Sequence, residues 1–308
     1  MTSFFDWVYK LEKSTPSHNT FRIFGIKFNC LKSSIKKERK QIAAYYQSFE
    51  NASLIPKATG DLKLVQDANV GFLKIFDKIC TENNFQYWLD YGTLIGAIRH
   101  GGFIPWDDDI DIAMPREDYE KLIEKYSKGF SDYPDFELTF ENNRKSKCFI
   151  KLQHKKSENL FIDIFPYDYY HCDLDEIQKS ELSQKIQKLC KQTLKKKFKT
   201  IEEVRNNFKE ITKTKILENK EQNKNGAIFM AIDFPHNHKN RVFGNNEIFP
   251  LQRVKFENAE FFAPNNIKSV LEKEFGNYMS IPKDSYPRHS NYNNLTEEEK
   301  NLLQSLAN

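Results

Sequence analysis

The stretch YGTLIGAIRHGGFIPWDDDIDIAMP, Tyr91–Pro115, places four aspartates within five positions, directly after two glycine-containing turns. In a β-strand the side chains alternate between faces, so Asp109 and Asp111 point the same way while Ile110 and Ile112 point into the core. Two carboxylates that converge in a partly buried position repel each other unless a cation neutralises them, and hard oxygen ligands suit Mg²⁺ or Mn²⁺. The stretch therefore predicts a buried strand that carries a divalent metal site.

Two other interpretations of the aspartate run were weighed. An acidic run is often a solvated turn, but the interleaved isoleucines and the flanking Pro105 and Trp106 disfavour a turn here. An EF-hand loop that starts at Asp107 would place Ile112 where glycine is required and Asp118 where glutamate is expected. The EF-hand interpretation therefore fails at its turn.

A third carboxylate, Asp163, lies in the segment LFIDIFP, which is apolar on both faces. An unpaired charge there would be strongly destabilising, so Asp163 needs a partner. That partner is either a lysine in a structural ion pair or the cation held by Asp109 and Asp111. If all three aspartates converge, they can hold two metals about 3.5–4 Å apart, the arrangement used for in-line displacement at phosphorus. Lys151, on the preceding predicted strand, would neutralise either the carboxylates or a phosphate, and the sequence does not decide between them.

The Gly92–Thr93 turn precedes a predicted helix, so its backbone N–H groups and the helix N-terminus are suited to cradle a phosphate. A Gly-Thr pair alone is a weak signal, and its position ahead of the aspartate strand strengthens it. Arg99 and His100 lie at the other end of that helix. They either reach phosphate oxygens or cap the helix, and both interpretations stay open.

Composition excludes several classes of protein. The 308 residues carry a formal charge of +4, which is too small to indicate nucleic-acid binding, and no stripe of basic and aromatic residues is evident. Five widely spaced cysteines without a CxxC pair favour a reducing cytoplasm over a disulfide scaffold. The longest apolar run, Ala227–Ile232, is far short of the roughly 20 residues that span a bilayer. We therefore expect a cytoplasmic protein with no transmembrane helix.

The order of predicted elements indicates an α+β (mixed α/β) fold, in which helices flank a small mixed sheet and a helical insertion interrupts it. In the N-terminal segment, Phe4, Val8 and Leu11 share one helical face that either packs on the core or contacts a membrane surface at the periphery. The predicted divisions are an N-terminal extension packing on the core at 1–60, a catalytic core at 61–170, a helical insertion at 171–224, and C-terminal strands and a helix that complete the catalytic domain at 225–308.

These motifs resemble those of the LicD/fukutin-type phosphotransferase family, which has the nucleotidyltransferase fold of beta-type polymerases. The likeness runs almost unbroken through YWLDYGTLIGAIRHGGFIPWDDDIDIAMPREDYEKL, Tyr87–Leu122. It extends to FIDIFPYD and, more weakly, to VKFENAEFFAPNNIKSVLEKEFGNYMSIP. The resemblance covers about half of the chain, and residues 1–60 and 173–222 lie outside it.

The resemblance implies a transferase that moves a phospho-alcohol such as phosphocholine from a CDP-linked alcohol donor to a sugar hydroxyl of a glycan or lipid-linked saccharide, with release of CMP. The implied products are modified lipopolysaccharide, capsule or other cell-surface glycans. It also implies that Gly92, Thr93 and Arg99 bind the donor phosphates. The implied metal ligands, for Mg²⁺ or Mn²⁺, are Asp107, Asp109, Asp111 and Asp163; Asp163 is also the implied general base.

Two alternatives belong to other functional classes. The first is a nucleotidyltransferase that moves the nucleotide itself and releases pyrophosphate. The second is a non-catalytic, metal-binding subunit of polysaccharide assembly.

Overall fold

The chain divides into two compact units in the computed structural model, residues 1–55 with 280–286 and residues 56–279 with 287–308. The structure describes residues 9–14, 18–23, 26–31, 33–143, 147–170, 174–194, 216–217, 226–230, 241–282 and 295–307. Each unit contains its own β-sheet.

The first unit is built on a three-stranded antiparallel sheet followed by a helix. These elements are β1 (Tyr9–Ser14), β2 (His18–Ile23), β3 (Ile26–Leu31) and α1 (Ser33–Gln47). The lysine-rich helix is confirmed as α1. The helical face predicted at the N-terminus is wrong at Leu11, which lies in β1 and pairs with Phe21. So short a segment cannot separate a period of 3.6 from a period of 2. Phe4 and Val8 lie outside the described residues.

An eight-stranded mixed sheet forms the centre of the second unit. Its strands are β4 (Trp88–Leu89), β5 (Ile110–Pro115), β6 (Phe136–Asn143), β7 (Lys147–His154), β8 (Ser157–Tyr170), β9 (Ile216–Leu217), β10 (Ala227–Met230) and β11 (Val242–Gly244). The main path runs β11-β10-β8-β5-β4, while β7 and β9 also pair with β8 and β6 pairs with β7. The β5–β8 pair is parallel and the other pairs are antiparallel.

Helices and a hairpin surround this sheet. They are α2 (Gly60–Asn83), α3 (Tyr91–His100), α4 (Arg116–Tyr126), α5 (Glu176–Leu194), α6 (Asn245–Ile248), β12 (Gln252–Phe256), β13 (Ala259–Ala263), α7 (Ile267–Phe275) and α8 (Glu297–Ala307). This arrangement confirms the predicted α+β class. The first half of the predicted helical insertion is α5, and the predicted second half, residues 201–211, lies outside the described residues.

Helix α2 is amphipathic, as its sequence pattern predicts, and it ties the sheet to the rest of the core. Val65, Phe72 and Phe76 are almost fully buried. In the middle of this apolar face, the Asn69 side chain donates to the Asn159 carbonyl oxygen at 2.9 Å. It also accepts a hydrogen bond from a backbone N–H of β8 at 3.3 Å. The amide therefore fixes α2 along β8 while the apolar side chains supply the burial.

The glycine turn after α3 is held in place by the β12–β13 hairpin. Gly101 ends the helix with φ +66°, a left-handed conformation that glycine adopts without steric cost. Glu257, at the tip of the hairpin, donates its backbone N–H to the Gly101 carbonyl oxygen at 2.8 Å. Its side chain accepts from the Phe103 N–H at 3.1 Å. The predicted chain reversal between α3 and β5 is thus confirmed.

The helix nearest the C-terminus, α8, packs on α2. Leu303 is fully buried in a cluster with Val65, Ala68 and Leu160. Glu299 accepts from the side chains of Ser157 and Asn159 at 2.5 and 2.8 Å, so α8 is also tied to the start of β8. No helix among the described residues is long and apolar enough to cross a membrane.

Candidate metal and phosphate site

Three of the predicted ligands converge at the pairing of β5 and β8. The parallel register places Asp111 directly opposite Asp163. Asp109 lies two residues before Asp111, just ahead of the strand. One carboxylate oxygen from each of the three lies within 4.8 Å of the other two. The backbone ladder therefore brings together residues that are 54 positions apart along the chain.

The surroundings of this carboxylate cluster are apolar on the core side. Ile110 and Ile112 are fully buried, as alternation along the strand predicts. Asp109 and Asp163 are themselves 6% and 8% exposed. Like charges held this close in a poorly solvated position disfavour one another, so the arrangement calls for positive charge. Three carboxylates from adjacent backbone positions fit the oxygen-rich ligand set that Mg²⁺ or Mn²⁺ requires.

One positive charge comes from the protein itself. The Lys151 ammonium on β7 lies 3.1 Å from Oδ1 of Asp163. It also lies over the face of the Phe161 ring, 3.6 Å from the ring centroid. The two partners that the sequence offers for Asp163 therefore coexist, because it forms an ion pair with a lysine and also belongs to the aspartate cluster.

A second acidic group adjoins the first and shares Asp109 with it. Carboxylate oxygens of Asp107, Asp108 and Asp109 also lie within 4.8 Å of one another. Asp108, which strand alternation would put on the opposite face, joins this group because residues 107–109 precede β5. The backbone of this segment is anchored by the Gln66 side chain, which donates to the Asp107 carbonyl oxygen at 2.8 Å.

The Gly92–Thr93 turn lies against both acidic groups. A Cβ atom at Gly92 would lie 2.6 Å from Oδ2 of Asp107, so the close approach needs glycine. The Thr93 hydroxyl accepts a hydrogen bond from the Asp111 N–H at 2.9 Å. Both residues are in the first turn of α3, where backbone N–H groups lack partners within the helix. The structure thus places the predicted phosphate turn beside the predicted metal ligands.

A buried ionic network fixes the start of α3, and the sequence analysis missed it. Asp90, at the N-cap, forms a 2.6 Å ion pair with Arg241 and makes no side-chain cap to the helix. Arg241 also pairs with Glu274, contacts Tyr167 and lies over the Tyr91 ring at 3.8 Å. Burial, opposed by Arg241, raises the pKa of Glu274 to about 8. No local motif marks Arg241, which lies 151 positions after Asp90.

Arg99 is a buried cation at the far end of α3. Its guanidinium donates to the Tyr278 carbonyl oxygen at 2.6 Å and to Nε2 of His100 at 2.9 Å. Burial lowers the pKa of Arg99 to about 10, and the nearby charge of Asp107 opposes this shift. Burial, together with the charges of Arg99 and Lys57, lowers the pKa of His100 to about 4. Arg99 therefore secures the backbone near Tyr278, and its predicted contact with a donor stays a prediction.

Comparison with known proteins adds a family to this geometry. Residues 84–187 match the family model described as LicD/FKTN/FKRP, nucleotidyltransferase domain. The matched range contains the Gly92–Thr93 turn, Asp107, Asp109, Asp111, Lys151 and Asp163.

Three curated relatives match the same region. The chain is 35% identical to the lipopolysaccharide cholinephosphotransferase LicD of Haemophilus influenzae over 109 residues, 32% of this chain and 41% of the relative. It is 32% identical to an uncharacterised protein of Rickettsia prowazekii over 103 residues, 32% of this chain and 38% of the relative. It is 34% identical to human ribitol 5-phosphate transferase FKRP over 87 residues, 27% of this chain and 17% of the relative. The chain spans less than half the length of each of these relatives.

Proposed function

Because residues 84–187 are a LicD-family nucleotidyltransferase domain, we propose that this protein transfers a phospho-alcohol from a CDP-linked donor to a sugar hydroxyl of a cell-surface glycan, releasing CMP. The observation that carries the proposal is the convergence of Asp109, Asp111 and Asp163 beside the Gly92–Thr93 turn. The names of two relatives support the class of group transferred, because one is a cholinephosphotransferase and the other a ribitol 5-phosphate transferase.

In this proposal Asp109, Asp111 and Asp163 hold Mg²⁺ or Mn²⁺, with Asp107 as an additional ligand. A bound divalent cation would neutralise charge on the diphosphate as the bond to CMP breaks. The aspartates supply the negative charge that binds the cation, and the β5–β8 ladder keeps their spacing fixed before the donor arrives.

The turn at the start of α3 is proposed to hold the donor phosphates. First-turn N–H groups point out of the helix N-terminus, where the helix dipole favours an anion. Asp90 is committed to Arg241 and does not cap these groups with its side chain. Gly92 allows close approach of the chain, and Thr93 couples the turn to the Asp111 backbone. Arg99 contributes positive charge at the other end of the helix.

Asp163 is proposed to accept the proton of the attacking sugar hydroxyl as well as to bind the cation. A carboxylate within hydrogen-bond reach of a hydroxyl can act as its general base. The acceptor itself is proposed to be a glycan or lipid-linked saccharide, modified by a cytoplasmic enzyme that contacts the membrane at its periphery.

Substitution of Asp111 tests the proposed reaction. We expect Asp111→Asn to lower CMP release by about a hundredfold or more, because an amide carries no charge for the cation and the donor charge goes unneutralised. The assay supplies CDP-choline, CDP-ribitol, CDP-glycerol or CDP-ethanolamine with Mg²⁺ and saccharide acceptors. Asp135→Asn, at an exposed aspartate paired with Lys156, is the matched control. Full turnover by a folded Asp111→Asn variant would overturn the site assignment.

The family description itself favours a second candidate, transfer of the nucleotide. An enzyme of that kind would use CTP and a phospho-alcohol and would release pyrophosphate, whereas the proposed reaction releases CMP. Product analysis with both substrate sets separates the two activities. A protein that shows neither product and no calorimetric binding of cytidine nucleotides would instead be a non-catalytic subunit.

A further inference from the structure

Lys151, Asp163 and Asp111 form a row across three neighbouring strands. The antiparallel register of β7 and β8 places Lys151 opposite Asp163, and the parallel register of β5 and β8 places Asp111 opposite Asp163 from the other side. Residues opposite each other in a sheet project from the same face. The lysine is therefore built into the row that carries two of the three clustered carboxylates.

The charges of these side chains indicate what the lysine does. Asp109, Asp111 and Asp163 together carry three negative charges, and the Lys151 ammonium, 3.1 Å from Asp163, offsets one of them. The side chains of Lys151 and Asp163 are only 16% and 11% exposed, so water screens this pair weakly. A divalent cation entering the cluster must compete with the ammonium for the Asp163 carboxylate.

The Phe161 ring gives the ammonium a second contact. Lys151 Nζ already lies 3.6 Å from the centroid of that ring, a favourable position for a cation. Leaving the carboxylate therefore does not leave the ammonium without a partner, and the exchange of partners needs little movement.

On the premise of the proposed metal site, we propose that Lys151 is a positioning residue that acts as the resident counter-ion of Asp163 and yields that carboxylate to the divalent cation. The ammonium holds Asp163 in the row with Asp111 before the cation binds. Its positive charge also weakens cation binding, because it lies beside one of the ligands. Loss of this charge should consequently tighten metal binding even though it removes a stabilising contact.

Calorimetric titration with Mn²⁺ tests this inference on the full chain. We expect Lys151→Met, which keeps an unbranched apolar side chain but removes the charge, to lower the Kd for Mn²⁺ by about tenfold. Lys151→Arg keeps the charge and should stay within about twofold of the wild type. Lys156→Met, at an exposed lysine of the β7–β8 turn, controls for the change in net charge. Lys151→Gln provides the same comparison if Lys151→Met does not fold.

The outcomes distinguish this inference from the function on which it rests. Tighter Mn²⁺ binding together with a lower melting temperature of the metal-free Lys151→Met protein supports the counter-ion role. Unchanged or weaker Mn²⁺ binding by the folded variant, with normal binding by the wild type, overturns the role of Lys151 alone. Failure of every variant and the wild type to bind Mn²⁺ overturns the proposed metal site and this inference together.

Discussion

Glu247 shows how single carboxylates join separate elements of this fold. It lies in α6 and accepts hydrogen bonds from Lys273 at 2.7 and 2.8 Å, from the Ser269 hydroxyl, and from the Gly244 N–H at 2.7 Å. Burial alone would raise the pKa of Glu247, but these donors outweigh it and lower the pKa to about 2. The ionised carboxylate therefore stabilises the folded protein by connecting α6 to α7.

The resulting pH dependence can be measured. Because the pKa of Glu247 is lower in the folded protein than in the unfolded chain, its contribution is fully present above about pH 4.5 and is lost as the pH falls towards 2. We expect Glu247→Gln to lower the free energy of unfolding by about 1–2 kcal/mol at pH 7. The difference from wild type should narrow in urea titrations at pH 4.5 and 3. Glu298→Gln, exposed on α8, is the control; an equal loss at pH 3 and pH 7 would contradict the assignment.

At this scale the sequence identifies residues whose neighbours along the chain declare their role. Asp109 and Asp111 are recognisable because isoleucines alternate with them, and Asp163 is recognisable because it is a charge in an apolar run. Arg241 is not recognisable, because its partners Asp90 and Glu274 come from other parts of the sequence. The sequence also left the partner of Asp163 open, since an ion pair across two strands depends on register.

Among the elements, α3 depends on a close backbone contact at Gly96. A Cβ atom there would lie 2.4 Å from the Gly102 carbonyl oxygen and 3.1 Å from the Ile104 nitrogen. The chain that leaves α3 thus turns back across the helix at its narrowest point. This contact sets the path from the glycine turn to the aspartate run.

Gly96→Ala should therefore be destabilising, although alanine is normally the better residue in a helix by about 1 kcal/mol. The backbone of residues 102–104 would have to move, so we expect a net loss of about 1–3 kcal/mol in urea unfolding. Ile98→Ala, exposed on the same helix, should change stability much less. A Gly96→Ala protein more stable than wild type would show that the turn and the helix are not in this contact.

Elements with a clear local period were predicted well, whereas elements defined by distant packing were not. Helix α2, helix α3, strands β5 and β8 and the β12–β13 hairpin follow from apolar periodicity and turn residues. Helix α8 was missed, although Thr296 caps it by accepting from the Glu299 N–H, a pattern visible in the letters TEEE. Strand β1 was mistaken for helix because its few apolar residues fit either period.

On the scale of the whole molecule, the two ends of the second unit meet at one apolar cluster. Leu303 of α8 packs with Val65 and Ala68 of α2 and with Leu160 of β8. A Cβ atom at Gly71 would overlap the Leu306 backbone, so the two helices lie very close together. The helix nearest the C-terminus is therefore part of the same core as the strand that carries Asp163.

Truncation of Leu303 measures this coupling. Because the side chain is fully buried, Leu303→Ala should lower the free energy of unfolding by about 2–4 kcal/mol. The transition should remain single in urea unfolding followed by two different probes, because α8 and the sheet share one core. Asn301→Ala, exposed on the same helix, serves as the control. Separate unfolding of α8 before the sheet would contradict a shared core.

The parallel pairing of β5 with β8 has a consequence for how this protein tolerates changes in chain length. The segment between the two strands contains α4 and the β6–β7 hairpin, yet the ladder alone decides that Asp111 faces Asp163. Residues added to or removed from the connections can be absorbed outside the ladder. A single residue inserted within β8 before Asp163 would instead rotate that carboxylate to the opposite face of the sheet. The acidic centre is thus insensitive to the amount of chain between its halves but strictly sensitive to the reading frame of one strand.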